Sequence, residues 1–200
     1  MKFLPYGDTG VLVEAEEAID VLALRAVALS VPGVVDAVPA ARTLLVEFDP
    51  RRTSARHLAA LLEVGDPNAA AAPVPDEITM RVRYDGADLE EVAAETRLSA
   101  AEVVERHCDA TYLVAFGGFA PGFAYLTGLD PRLRVARLDR PRTSVPGGAV
   151  AIAGEYTGIY PRPSPGGWRL LGTVDATVWD TDRQPPALLQ PGMRVRFVAT

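Results

Sequence analysis

Two stretches set large aromatic rings beside stiff or minimal backbone: "GGFAPGFAYL" (117–126) and "YPRPSPGGWRLLG" (160–172). In the first, Phe119, Phe123 and Tyr125 flank Pro121 and Gly122. Proline fixes φ and glycine permits close approach, so rings on such a loop are aimed rather than mobile. Preorganised rings suit a groove for a small ligand, because little conformational entropy is lost on binding. The same rings can also plug the end of a barrel, and the residues alone leave both readings open. The second stretch carries Tyr160, Pro161 and Pro165-Gly166-Gly167 leading into Trp168. Upstream, Pro146-Gly147-Gly148 leads into another apolar run. Successive N–H groups at such glycines either nest a carboxylate or phosphate or simply turn the chain into a strand. Arg142, Arg162 and Arg169 lie close by and supply either anion-binding charge or solvated surface.

His107 sits near the end of a capped helical segment. There it can serve as a general base or rest against the helix C-terminus, where a cation is favoured. His57 falls inside a second amphipathic helix and reads as surface. Two distant histidines and the single cysteine, Cys108, offer no metal-ligand set and no internal disulfide. The only lysine is Lys2, which leaves none for a Schiff base in the motif region or for a phosphate-binding P-loop. No nucleophile elbow, dinucleotide fingerprint or His-Glu-x-x-His appears, and Glu155, Asp175 and Asp180 show no paired spacing diagnostic of acid–base work.

The elements that must position these residues fall into two blocks. Residues 3–6 and 11–15 predict a hairpin around "GDTG", and 18–30 has helical spacing that ends at Val31-Pro32-Gly33. Residues 34–38 and 43–48 read as strands, and Thr53 as the N-cap of a helix over 54–64. That order predicts a small α/β domain over 1–64. "GDPNAAAAPVPD" (65–76), proline-bearing and aperiodic, reads as a linker. In 77–200 the expectations are a strand at 78–84, helices at 88–96 and 100–108, the second capped by Ser99 and Glu102, and strands at 111–116, 149–153, 157–160, 168–171, 176–180 and 193–198. Many short strands between Gly/Pro turns predict a barrel or sandwich. A net charge of −6 argues against nucleic-acid or anionic-membrane partners, and no long apolar run or leader-like segment is seen, so a cytoplasmic location is expected.

Five segments carry a family resemblance: "LPYGDTGVLVE" (4–14), "GFAPGFAYL" (118–126), "PRTSVPGGAVAIAG" (141–154), "TGIYPRPSPGGWRLLG" (157–172) and "PGMRVRF" (191–197). In order and spacing they resemble the B subunits of 5-oxoprolinase, also known as allophanate hydrolase subunit 1 or KipI. The resemblance implies an α+β chain: a small N-terminal α/β domain followed by a C-terminal cyclophilin-like β-barrel. It implies an obligate partner, the C subunit of the same enzyme (KipA, or allophanate hydrolase subunit 2), together with the enzyme's A subunit. It implies ATP-dependent opening of 5-oxoproline to L-glutamate, with ATP serving the complex and no metal-ligand set in this chain. A small amide or lactam is then the substrate, and the glycine-rich loops and rings named above are its binding site. His107, ahead of Tyr112, matches a histidine common in the family and becomes a candidate for proton transfer. Two alternatives share the resemblance: a KipI-like inhibitor of a histidine kinase, and a component of the allophanate or urea carboxyltransferase type. The chain departs from the family pattern at Tyr156, where glutamine is usual, and at Thr173, where arginine is usual.

Overall fold

Burial that alternates along short strands builds the first half of the molecule. The structure, a computed structural model, describes residues 1–15, 18–64 and 77–200. The chain divides into two compact units, Met1–Pro75 and Asp76–Thr200. The linker expected at 65–76 lies outside the described residues.

In the first unit β1 (Lys2–Tyr6) and β2 (Gly10–Glu14) form the expected hairpin, with Tyr6 opposite Gly10 and Gly7 at positive φ in the turn. Helix α1 (Ala18–Ser30) follows, then β3 (Val34–Pro39), β4 (Thr43–Phe48) and α2 (Ala55–Val64). The antiparallel order is β1-β2-β4-β3. Val11, Val13, Leu44, Val46 and Phe48 point to one face and meet Leu24, Leu58 and Leu62 in a common core. Because side chains alternate along a strand, the intervening residues form the opposite face. There Leu4, Leu12, Leu45 and Val38 lie in cross-strand register as one apolar row, with Leu4 and Val38 exposed at its ends. The cap of α2 is Ser54, whose Oγ accepts the His57 N–H at 3.2 Å, and not Thr53. Thr53 is drawn into the core beside Gly33, and its hydroxyl has no partner among the described residues.

The second unit begins with β5 (Glu77–Val82), α3 (Leu89–Thr96) and α4 (Ala100–Asp109). Ser99 and Glu102 form the expected capping box: Ser99 Oγ accepts the Glu102 N–H at 3.2 Å and Glu102 accepts the Ser99 N–H at 2.7 Å. The strands that follow are β6 (Tyr112–Gly117), β7 (Ala124–Thr127), β8 (Arg142–Val145), β9 (Ala149–Ala153), β10 (Tyr156–Ile159), β11 (Ser164–Gly166), β12 (Arg169–Thr173) and β13 (Arg194–Ala199). Seven strands run β12-β9-β10-β7-β6-β13-β5. Just past β5, Arg83 and Thr173 exchange both backbone hydrogen bonds, at 2.9 and 2.8 Å, and bring β5 against β12. The sheet thereby becomes a nearly closed barrel around Met80, Val82, Val114, Leu126, Val150, Ile152, Leu171, Val195 and Phe197. Strands β8 and β11 pair as a separate ribbon.

Three strands go beyond the sequence expectations: β8, β11 and β7, the last starting inside the aromatic–glycine stretch once Gly122 has turned the chain. The strand expected at 176–180 reduces to one bridge, Trp179 opposite Ala187. Pro185 and Pro186 precede Ala187 and have no N–H with which to extend that ladder.

Candidate functional site

The site is founded on β9, "AVAIA", in which every residue is buried. Val150 and Ile152 enter the barrel core, while Ala149, Ala151 and Ala153 face outward into a second cluster with Phe123, Val145, Tyr160, Trp168 and Leu170. Small side chains on the outer face leave room for rings to lie against the sheet. Gly158 on β10 does the same: a Cβ there would crowd the Phe123 and Trp168 rings.

Phe123 is the hub. Its ring meets those of Phe119, Tyr125, Tyr160 and Trp168 edge to face, with centroids 5.3, 5.1, 5.3 and 5.4 Å away. Such T-shaped contacts add to simple burial because ring edge and ring face carry opposite partial charge. Tyr125 extends the cluster, stacking on Phe116 at 4.4 Å and meeting Tyr156 at 5.6 Å. Phe119 is exposed and sits at φ 65°, a conformation rare for a bulky residue. It is held there by a run of short turns, in which Ala120 N–H donates to Gly118 O and Phe123 N–H to Ala120 O.

Phe119, Phe123, Tyr125, Arg137, Tyr160, Gly166, Gly167 and Trp168 line a cavity of about 90 Å³. At roughly 30 Å³ per water that is room for about three waters or one small ring. A Cβ on Gly166 would overlap the Tyr160 hydroxyl, so the glycine is required by close approach. Arg137 also borders an open groove of about 660 Å³ with Arg134, Glu155 and Tyr156. Burial, followed by the adjacent Glu155, pushes Tyr156 up to about 12, so its hydroxyl stays protonated at neutral pH. Burial also raises Tyr160, opposed by the Trp168 N–H and by the positive charge of Arg137.

Both aromatic–glycine stretches therefore reach one cavity. Of the residues singled out in the sequence, Phe119, Phe123, Tyr125, Tyr160, Gly166, Gly167 and Trp168 line it. Pro121 and Gly122 lie on a neighbouring cleft of about 340 Å³ with Leu189 and Gln190. Pro146-Gly147-Gly148 makes the β8–β9 turn: Gly148, at φ +81°, donates to Tyr160 O at 2.7 Å and accepts from Val174 N–H at 2.9 Å. Pro161 and Pro165 belong to the connection and the ribbon around β11 and do not line the cavity. Arg142 is tied to Asp88 at 2.6 Å, and Arg169 to Glu91 and Glu95 at 2.8 and 3.1 Å. Thr173 belongs to the barrel seam, where its hydroxyl accepts from Arg83 and donates to Asp85. Sequence reasoning misses Arg137 and Gly158; "RLRVARLDR" gives no local cue to which arginine faces a cavity.

His107 lies in the barrel core, apart from that lining. It is fully buried and packed against Tyr112 and Phe197. The Thr157 hydroxyl donates to Ala151 O at 3.1 Å, so its oxygen accepts from Nε2–H of His107 at 3.0 Å. Nδ1 is then the acceptor for the Tyr84 hydroxyl at 2.7 Å. Burial lowers its pKa to about 3, so the ring is neutral. The unfolded chain takes up a proton below its usual value near 6.5, and the folded chain does not until about 3. Stability is therefore complete above pH 6.5 and is lost as pH falls through that window, by roughly 1 kcal/mol per pH unit. Urea midpoints should fall between about pH 7.5 and about pH 5 for the wild type, and fall much less for His107→Gln. Equal slopes would show that His107 is not the group responsible.

Among the described residues no helix is long and apolar enough to cross a membrane, and no group of three or more His, Cys, Asp or Glu is placed to hold a metal. Comparison with known proteins matches residues 1–189 to the carboxyltransferase domain, subdomain C and D. The B subunit of 5-oxoprolinase from Escherichia coli O157:H7 is 36% identical over 202 residues, spanning 96% of this chain and 93% of that protein. Its counterpart from Bacillus subtilis (strain 168), also a 5-oxoprolinase B subunit, is 35% identical over 188 residues, 84% of this chain and 76% of that one. Among solved structures, TTHA0988 superposes with a TM-score of 0.81 at 44% identity over 96% of this chain, which spans only 40% of the TTHA0988 chain. PH0987 from Pyrococcus horikoshii gives a TM-score of 0.61 at 35% identity, over 100% of this chain and 97% of that one. The K. lactis urea amidolyase shares the fold, with a TM-score of 0.68 at 21% identity over 99% of this chain and 15% of its own.

Proposed function

Because this chain belongs to the family of the 5-oxoprolinase B subunits, built on carboxyltransferase subdomains C and D, we propose that it is one component of an ATP-dependent amidohydrolase. The reaction proposed is the opening of 5-oxoproline to L-glutamate, together with the A and C subunits of such an enzyme. The observation that carries this reading is the convergence of two separate motifs on one ring-walled cavity beside an arginine. ATP enters at the level of the complex: the sequence holds no P-loop, and its only lysine, Lys2, pairs with Glu14 in the first unit. When bound, ATP would supply the phosphoryl group that activates an otherwise unreactive amide. What this chain's own residues do is bind and enclose. Phe123, Tyr160 and Trp168 exclude water from one side of a small ring, and Phe119 forms an exposed wall. The absence of water strengthens whatever polar contacts the complex directs at the amide. His107, with both nitrogens engaged, orients Thr157 on β10 and so steadies the strand that carries Tyr156 and Gly158.

The test is glutamate formation from 5-oxoproline and ATP by the chain reconstituted with its A and C partners. Activity is the expected result. Tyr156→Gln restores the residue usual in the family on the groove that shares Arg137 with the cavity, and should change KM more than kcat. Activity only in Tyr156→Gln would mean that this copy serves another amide. Silence in both variants, with the complex assembled, overturns the enzymatic reading and leaves that of a binding module. That second reading is favoured by the apolar row Leu4–Leu12–Leu45–Val38 outside the motif groove.

A further inference from the structure

We propose that Arg137 is the carboxylate anchor of the cavity: it holds the acid group of a small cyclic amide whose ring lies against Phe123 and Trp168. The inference rests on the functional reading above and names the feature that makes the site selective.

Four observations carry it. Arg137 lines both the small cavity and the open groove, and it is the residue the two have in common. Its Cζ lies over the Trp168 ring, 5.9 Å from the centroid. A guanidinium over a ring face is held by the ring quadrupole, while the N–H groups at its edge remain free for an in-plane, two-pronged contact with a carboxylate. The neighbouring arginines are already engaged, Arg142 by Asp88 and Arg169 by Glu91 and Glu95. Among the described residues neither Arg137 nor Arg134, which borders the same groove, has an ion-pair partner, and of the two only Arg137 also lines the cavity. The cavity itself, at about 90 Å³ and walled by rings and glycines, has the size and the flat apolar walls that suit a small ring. A ligand that satisfies both parts is a compact, uncharged ring carrying one carboxylate, which describes a lactam acid. Glu155, on the same groove, disfavours a second negative group on the same ligand.

The experiment measures KM and kcat of the reconstituted complex for 5-oxoproline, with 2-pyrrolidone and 5-oxoproline amide as competitors that lack the carboxylate. Arg137→Ala should raise KM about ten- to a hundredfold, the range of a lost charge-assisted contact, and leave kcat within a small factor. It should also abolish the preference for the acid over the amide. Arg137→Lys should recover part of the loss, since a point charge replaces the fork. An unchanged KM and an unchanged preference would overturn the assignment. If the wild-type complex does not open 5-oxoproline, the functional reading fails on its own, and the anchor is then decided on the full chain alone. There the Trp168 indole resonance, assigned with Trp179→Phe, is followed during titration with 5-oxoproline and with its amide. A shift specific to the acid that Arg137→Ala removes upholds the anchor. Equal response to acid and amide, or none up to the solubility limit, overturns it.

Discussion

Phe123→Ala is expected to cost about 3–5 kcal/mol, the largest stability loss of any single truncation in the aromatic cluster. Phe123 is 3% exposed and touches the rings of Phe119, Tyr125, Tyr160 and Trp168. Removing it forfeits the burial of one phenylalanine and leaves a void that the β-sheet beneath cannot close, because Ala149, Ala151 and Gly158 have no bulk to move in. The same change merges the cavity with that void, so ligand binding should weaken with the stability. Phe123→Leu separates the two effects: it refills part of the volume and should recover about half the stability without restoring the edge-to-face contacts. Urea denaturation reads the loss. A cost for Phe123→Ala under about 1 kcal/mol, far below the usual range for a buried phenylalanine, would mean that the ring is not the hub of the cluster.

The second large effect is expected at Asp88. Its carboxylate is almost fully buried and makes two bonds of different kinds. Oδ1 accepts from Arg142 Nη2 at 2.6 Å, and Oδ2 accepts the Leu170 N–H at 2.7 Å. It thereby joins the start of α3 to β8 and β12. Asp88→Ala would strand both donors, one of them charged. The Arg142 side chain keeps 28% of its surface exposed, so water offsets part of the loss, and about 2–4 kcal/mol is expected. Asp88→Asn retains an acceptor for one donor and should cost roughly half as much. The functional consequence runs through backbone. Arg142 pairs with Gly166 across the β8–β11 ribbon, and Gly166 is a wall of the cavity. Asp88→Ala should therefore weaken substrate binding even at temperatures where the chain remains folded. A variant of wild-type stability with unaltered KM would show that Asp88 braces neither the fold nor the cavity wall.

Which parts of the molecule are legible in the chain follows from where the information lies. Helix α1 and strand β9 match their expected limits because apolar spacing and flanking Gly or Pro are local signals. The capping box at Ser99 is likewise a four-residue pattern. The cap of α2 moves by one residue because Thr53 and Ser54 are both competent, and packing beside Gly33 decides which one turns inward. The ring cluster can be suspected from composition, yet its alternative as a barrel plug is decided only by topology: the rings lie on the outer face of β9 and β10, not inside. The arginines are least legible. Arg142 and Arg137 both sit in arginine-rich surroundings, and only the long-range partner Asp88, 54 positions from Arg142, distinguishes the engaged cation from the free one.

The position of β13 has a consequence for how the molecule comes into being. This strand lies between β6, with which it runs antiparallel, and β5, with which it runs parallel from Arg194–Glu77 to Ala199–Val82. Its two neighbours are synthesised much earlier and are not hydrogen-bonded to each other in the finished sheet. During translation, β5 and β6 therefore lack the strand they share until residues 194–199 have left the ribosome. Long-range closure of this kind is slow, and unpaired edges invite association with other chains. The first unit, whose strands pair over short distances, can meanwhile complete itself. A nascent chain stalled before Arg194 should thus carry one finished unit and one aggregation-prone sheet, and the last six-residue strand acts as the latch that turns the second into a barrel.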